Sequence, residues 1–277
     1  MKRILNVMLV LMLLVYAGTC AAATGATAIT WYGHSAFKVM TPGGKVLLID
    51  PWLANPANPR GKELLASLDR ADQILLTHAH GDHIGNTVEI AKKTGAKLVA
   101  TNDLMKAMVK YADFPAKQAD FAGTGNFGGT VTLLGGEVKV TFVQAVHSSA
   151  LEYDDKGGMP KSLAYAGNPG GFVIAISGGP TIYHTGDTDL FGDMKMVGDI
   201  SSVDLMLACI GDKFTMGPEG AALAVELVRP KMVIPMHFGT FAPLTGTPEA
   251  FEQAMKKRGL KTQFKRMQVN ETLNWKP

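Results

Sequence analysis

Seven histidines occur in the chain, and three fall within six residues: His78-Ala79-His80-Gly81-Asp82-His83. His78 and His80 are two apart, so in extended backbone their side chains leave on the same side. Gly81 permits a sharp turn, after which Asp82 and His83 can return toward the same point. The apolar stretch Ile74–Thr77 precedes the cluster and a helical pattern follows it. Neutral imidazoles and a carboxylate converging at a strand end are the donors that zinc and similar divalent ions accept. A solvated histidine-rich loop, the plain alternative, fits poorly with a cluster that emerges directly from a buried strand.

The elements that must hold these residues are short strands punctuated by glycine. Ala28–Tyr32 and Phe37–Met40 flank a glycine-histidine turn, and Val46–Ile49 is a continuous apolar strand ending at Asp50. After the histidine cluster a helix is expected from Ile84 to Thr94, then strand Lys97–Ala100 and helix Asp103–Tyr111. Thr130–Leu134 and Val138–Val143 flank Gly135-Gly136 as a hairpin. Phe172–Ile176 and Thr181–His184 form a second, around Gly178-Gly179-Pro180. Strand Val203–Cys209, helix Pro218–Val228, strand Met232–Met236 and helix Pro248–Arg258 follow. Two similar halves, strands leading and helices interspersed later, suggest two sheets covered by outer helices in one domain, residues 24–277. Residues 148–170, rich in Gly, Ser and Pro, read as a long functional loop. Tyr153, Asp154, Asp155 and Lys161 are placed there to overhang the site and set substrate choice. Met194, Met196, Met206, Met216 and Met236 read as core fillers.

Residues 1–23 have a different character. Lys2 and Arg3 precede an apolar run from Ile4 to Val15, and small residues lead to Ala21-Ala22-Ala23. This is the pattern of a cleaved secretory signal, and the run is too short to span a bilayer comfortably. A periplasmic or secreted protein is expected, with an uncleaved membrane anchor as the alternative and no stable span after cleavage. Thr19 is a poor residue in front of a lipidated Cys20. Without the leader the net charge falls from +3 to +1, and Cys209 remains alone in an apolar run as a buried thiol with no disulfide. At 18% charged and 47% hydrophobic, the chain is neither disordered nor a basic nucleic-acid binder. Self-association is left open.

The spacing His78-x-His80-x-Asp82-His83 resembles the signature of the metallo-β-lactamase superfamily, and the resemblance covers essentially the whole mature chain. Gly33-His34-Ser35, Asp50-Pro51-Trp52, Tyr183–Thr188, Phe214–Pro218 and Pro235–Phe241 match in order. Together they look like the ascorbate-6-phosphate lactonase-like subgroup, a branch similar to the N-acyl-phosphatidylethanolamine phospholipase D fold. The resemblance implies an α/β fold, the four-layer αββα sandwich, with metals at one edge between the sheets. It also implies that His147 joins His78 and His80 in a first site. His237 joins Asp82 and His83 in a second, and Asp187 bridges the two. His80 where the flavodiiron branch carries glutamate, and Asp187 where the best-known zinc β-lactamases carry cysteine, argue against both. No nucleic-acid-binding domain accompanies the site.

Two divalent ions about 3.5–4 Å apart can share a water and lower its pKa from 15.7 toward 7, which makes it a nucleophile for acyl or phosphoryl centres. Zinc suits the donors best, with manganese, iron and nickel also compatible. Asp82 can orient the nucleophile, Asp50 can accept the free N–H of a ligand histidine, and His34 is expected near the mouth, touching or polarising substrate. His184 is not expected to be a ligand. The expected activity is hydrolysis of a small ester, lactone or phosphodiester. The alternatives are a phospholipid-directed phosphodiesterase, with a lipid-like substrate, and a non-catalytic metal-binding protein.

Overall fold

The strand Val46–Ile49 reads Val-Leu-Leu-Ile, with no polar residue to mark a solvent face, and the computed structural model shows why. Leu47 and Ile49 enter one apolar core and Leu48 enters a second, on the opposite face. The neighbouring strands divide alike, Leu75 and Val99 facing the first core, Ile74, Leu98 and Ala100 the second. Strands buried on both faces belong to the middle of a layered α/β structure. The structure describes residues 25–154 and 161–276; the leader read in residues 1–23 and Asp155 lie outside the described residues.

The first sheet contains β1 (Thr27–Trp31), β2 (Phe37–Met40), β3 (Val46–Ile49), β4 (Gln73–Leu75), β5 (Lys97–Thr101) and the short β6 (Thr124–Gly125). The second contains β7 (Thr130–Leu133) and β8 (Val138–Gln144), and a separate hairpin β9 (Ala150–Tyr153) and β10 (Ser162–Tyr165) follows them in the chain. The second sheet continues through β11 (Gly170–Ile176), β12 (Thr181–His184), β13 (Leu205–Cys209), β14 (Met232–Met236) and β15 (Gln263–Phe264). β16 (Thr272–Trp275) returns to pair antiparallel with β1, so the first sheet runs β16-β1-β2-β3-β4-β5-β6. The second runs β15-β14-β13-β12-β11-β8-β7. Each sheet is antiparallel up to its third pairing and parallel beyond it, the halves repeating one plan.

Helices α1 (Gly61–Ser67), α2 (Gly81–Ile84), α3 (Thr87–Thr94) and α4 (Asn102–Tyr111) accompany the first sheet. α5 (Met194–Ser201), α6 (Pro218–Val228) and α7 (Pro248–Lys257) accompany the second. Ile90, Leu104 and Met108 cover the outer face of the first sheet; Met194, Val225 and Phe251 belong to the core that continues through the second. The four-layer αββα sandwich is the architecture of the chain.

Three expectations need correcting. The helix read from Ile84 to Thr94 is broken at Gly85, whose φ of +35° and close approach to Trp52 separate α2 from α3. Residues 148–170 are not a structureless loop, because β9 and β10 turn alternating residues inward, with Leu151 and Ala164 buried. Tyr153 packs against Tyr111 of α4 with ring centroids 4.7 Å apart, and Lys161 lies 3.9 Å from Glu152 across the hairpin. Finally, Met196 is 53% exposed on α5, not a core filler, whereas Met194, Met206, Met216 and Met236 are buried. Cys209 is a buried free thiol.

Candidate metal centre

The histidine cluster begins three residues after β4 ends. Ala79 is buried in the outer core, so the residues on either side of it, His78 and His80, point the other way, into the space between the sheets. Gly81 opens α2, which places Asp82 and His83 in its first turn. The second sheet delivers its residues just beyond three strand ends: His147 after β8, Asp187 after β12, and His237 after β14. His34 lies in the turn between β1 and β2, and Asp50 directly follows β3. His34, Asp50 and His237 have φ of +52°, +43° and +58°. Such values are costly for these residue types and persist only where surrounding structure holds them, most often at functional sites.

Eight side chains converge. Donor atoms of His78, His80 and His147 lie within 4.8 Å of one another, as do those of His78, His83 and Asp187, and those of His34, Asp82, His83 and His237. His147 Nε2 is 3.2 Å from His80 Nδ1 and 3.7 Å from Asp187 Oδ2. His83 Nε2 is 3.2 Å from Asp187 Oδ1, and His237 Nε2 is 2.9 Å from Asp187 Oδ2.

Proximity here does not amount to pairing. His78 Nε2, His83 Nε2, Asp187 Oδ1 and both ring nitrogens of His237 are buried with no hydrogen-bond partner. Burying one unpaired polar atom costs about 1–3 kcal/mol, so five in one place need a common partner. Imidazole nitrogens and carboxylate oxygens directed at shared points fit divalent metal ions.

The opposite edges of His78 and His83 are paired. Asp50 is buried; its Oδ2 accepts from His83 Nδ1 and from the Thr77 hydroxyl, both at 2.7 Å, and its Oδ1 accepts from the Thr77 N–H at 2.9 Å. Having given its hydrogen to Asp50, Thr77 Oγ1 accepts from His78 Nδ1 at 3.0 Å. One carboxylate thus fixes the Nδ1–H of two histidines and aims both Nε2 atoms at the cluster. His184 has a different task. Its Nε2 donates to the Ser35 carbonyl and its Nδ1 accepts from the Gly186 N–H, both at 3.1 Å, which fixes the turn that presents Asp187.

Sequence reasoning missed Thr77, Ser148 and Thr240. Ser148 Oγ lies 3.2 Å from His80 Nε2, and Thr240 Oγ1 lies 2.9 Å from His34 Nδ1. Thr77 and Ser148 each adjoin a site residue, and Thr240 lies three residues past His237. His34 is not at the mouth: it is fully buried, beneath Trp52 and Phe241, whose rings lie 5.5 and 5.7 Å from its own.

Burial is the main force pushing His78, His80 and His147 below the ordinary histidine pKa, so all three are neutral near pH 7. His34 is pushed down to about 4 by burial and by His237. For His83 burial also opposes charge, but Asp187 and Asp50 override it and raise the ring well above its ordinary value. Burial likewise opposes ionisation of Asp187 and Asp82. His237 and His83 hold the first well below the carboxylate range, and the His34 contact with the charge of His83 does so for the second.

A family model described as a beta-lactamase superfamily domain matches residues 45–238. A UPF0173 metal-dependent hydrolase of Thermodesulfovibrio yellowstonii is 61% identical over 273 residues, 99% of each chain. One from Anaeromyxobacter is 52% identical over 236 residues, 85% of this chain and 83% of that one. Among solved structures, Igni18, a metallo hydrolase from the archaeon Ignicoccus hospitalis, superposes with a TM-score of 0.74 at 32% identity, covering 90% of this chain and 97% of its own. With a cluster of unpaired histidine and aspartate donors at the sheet edge, the chain belongs to the UPF0173 family of metal-dependent hydrolases in the metallo-β-lactamase superfamily.

Proposed function

We propose that this protein is an exported dinuclear hydrolase acting on a small ester, lactone or phosphodiester. His78, His80 and His147 would hold one divalent ion, Asp82, His83 and His237 a second, and Asp187 both. The observation that carries this is the convergence of buried donors with no protein partner. Zinc suits the set, and manganese, iron and nickel are compatible with it. When bound, such ions supply an activated water and neutralise charge growing on the attacked centre.

The remaining tasks fall to the chain. Asp50 and Thr77 orient His83 and His78. Asp82, its side chain 25% exposed and its carboxyl ionised, faces the solvent side of the cluster and orients the nucleophile by accepting a hydrogen bond. All five arginines among the described residues pair with carboxylates outside the cluster. That favours an ester or lactone, as the lactonase-like resemblance suggests, over a substrate needing a bidentate arginine on a phosphate.

A lipid-like substrate is the second reading, favoured by the Trp52–Phe241 stack at 5.7 Å, with Phe241 40% exposed, and by Val146, 50% exposed beside His147. Hydrolysis of vesicle phospholipid but not of soluble esters would select it.

Elemental analysis of purified protein, then an ester, lactone and phosphodiester panel with and without chelator, tests the main reading. The His78→Ala variant is expected to lose metal and turnover together; hydrolysis that survives without metal overturns the mechanism. Export is tested by fusing residues 1–23 to a reporter active only in the periplasm, and an inactive fusion removes it.

A further inference from the structure

His34 stands outside the two donor sets above, yet its surroundings are those of a ligand. Its ring is fully buried, its Nε2 lies 3.0 Å from Asp82 Oδ2, and its centroid is 4.0 Å from that of His237. One donor atom each from His34, Asp82, His83 and His237 falls within a 4.8 Å cluster. The left-handed backbone at His34 is held by its carbonyl, which accepts from the His237 N–H at 3.1 Å and from Trp31 Nε1 at 3.0 Å.

The position of one proton decides what Nε2 offers. The Thr240 hydroxyl, 2.9 Å from His34 Nδ1, has the Phe238 carbonyl at 3.5 Å as acceptor for its own hydrogen. It is therefore free to accept from Nδ1–H. The same construction surrounds His78, where Thr77 donates onward to Asp50 and accepts from Nδ1. A buried imidazole beside other imidazoles stays neutral and holds a single proton. Without a metal, Nε2–H donates to Asp82 Oδ2 at 3.0 Å; with the proton moved to Nδ1, Nε2 instead offers a lone pair beside that oxygen. Two such lone pairs in a buried site repel unless a cation lies between them.

We propose that His34 Nε2 is a further ligand of the second ion, which is then held by His34, Asp82, His83 and His237 with Asp187 shared; this rests on the dinuclear reading above. Thr240 is the positioning residue that keeps the His34 tautomer.

The test loads protein labelled with nitrogen-15 in its histidine rings with cadmium-113 and counts the rings coupled to the metal. Of the seven histidines, six are expected to couple, leaving only His184 uncoupled. His34→Ala is expected to remove one coupled ring and to weaken the second cadmium ion while the first stays bound. Five coupled rings, with His34 not among them, overturn the proposal and leave the dinuclear reading standing. Fewer than five overturn that reading itself. As a check that needs no ligand removed, Thr240→Val is expected to weaken the second cadmium ion by about 10–100-fold. An unchanged affinity would sink the assignment of the proton to Nδ1.

Discussion

Asp50 sits at the junction of two histidines, so its loss reaches further than one hydrogen bond. In Asp50→Asn an amide nitrogen replaces one oxygen, so either the Thr77 N–H loses its acceptor or the Thr77 hydroxyl and His83 both lose theirs. Metal affinity is expected to fall by about 10–100-fold while the fold persists, read by chelator competition and circular dichroism. His83 gives the site its pH behaviour. In the metal-free chain its raised pKa keeps a second proton on the ring near pH 7, between Asp50 and Asp187. That proton must leave before Nε2 can ligate, so calorimetry in buffers of differing ionisation enthalpy should show about one proton released per protein at pH 7. No dependence on the buffer would refute this. The linkage has a definite sign. Because the folded pKa is raised, the stability His83 lends the metal-free protein is full below its ordinary value of 6.5 and lost as pH rises through the raised one.

The site is legible in the chain only where its chemistry is local. His78-x-His80-x-Asp82-His83 could be read directly, because strand alternation and one glycine suffice to bring the residues together. His147, Asp187 and His237 carry no local sign, and only resemblance joined them to the cluster. The hydroxyls of Thr77 and Thr240 are invisible in sequence because each takes its meaning from a tertiary partner. His34 misleads for a similar reason. A glycine-histidine-serine turn looks exposed, and it is the distant Phe241 and Trp52 that close over it.

Among elements, the junction between α2 and α3 is where backbone and site depend on each other. A Cβ at Gly85 would meet Trp52 at 2.5 Å, from a backbone conformation that side chains avoid. Gly85→Ala is expected to destabilise by about 1–3 kcal/mol and to loosen metal binding, because α2 carries Asp82 and His83. Thermal unfolding and metal titration read the two effects. Strands β3, β12 and β14 and helix α6 stand where the sequence pattern puts them, since continuous apolar runs and a Pro start are strong signals. α1, α5, the β9–β10 hairpin and β16 were not foreseen. α1 has no side-chain cap, and β16 is a strand only because β1, more than two hundred residues earlier, accepts it as a neighbour.

At the level of the molecule, stability rests on the face between the sheets. Phe142 and Phe172 meet edge-on there at 5.5 Å, both buried. Phe172→Ala is expected to cost about 3–5 kcal/mol, which at roughly 2–4 °C per kcal/mol is an easily measured fall in Tm. Among the described residues no helix is long and apolar enough to cross a membrane. The proposed ligands are shared out unevenly: His78, His80, Asp82 and His83 follow a strand of the first sheet, while His147, Asp187 and His237 follow strands of the second. Metal held by both groups would therefore be a clasp across the open edge of the sandwich. Chelation should let that edge part first. Amide exchange would then quicken at Gly170 and His237, whose N–H groups bond across the edge, while β7 and β16 keep their protection.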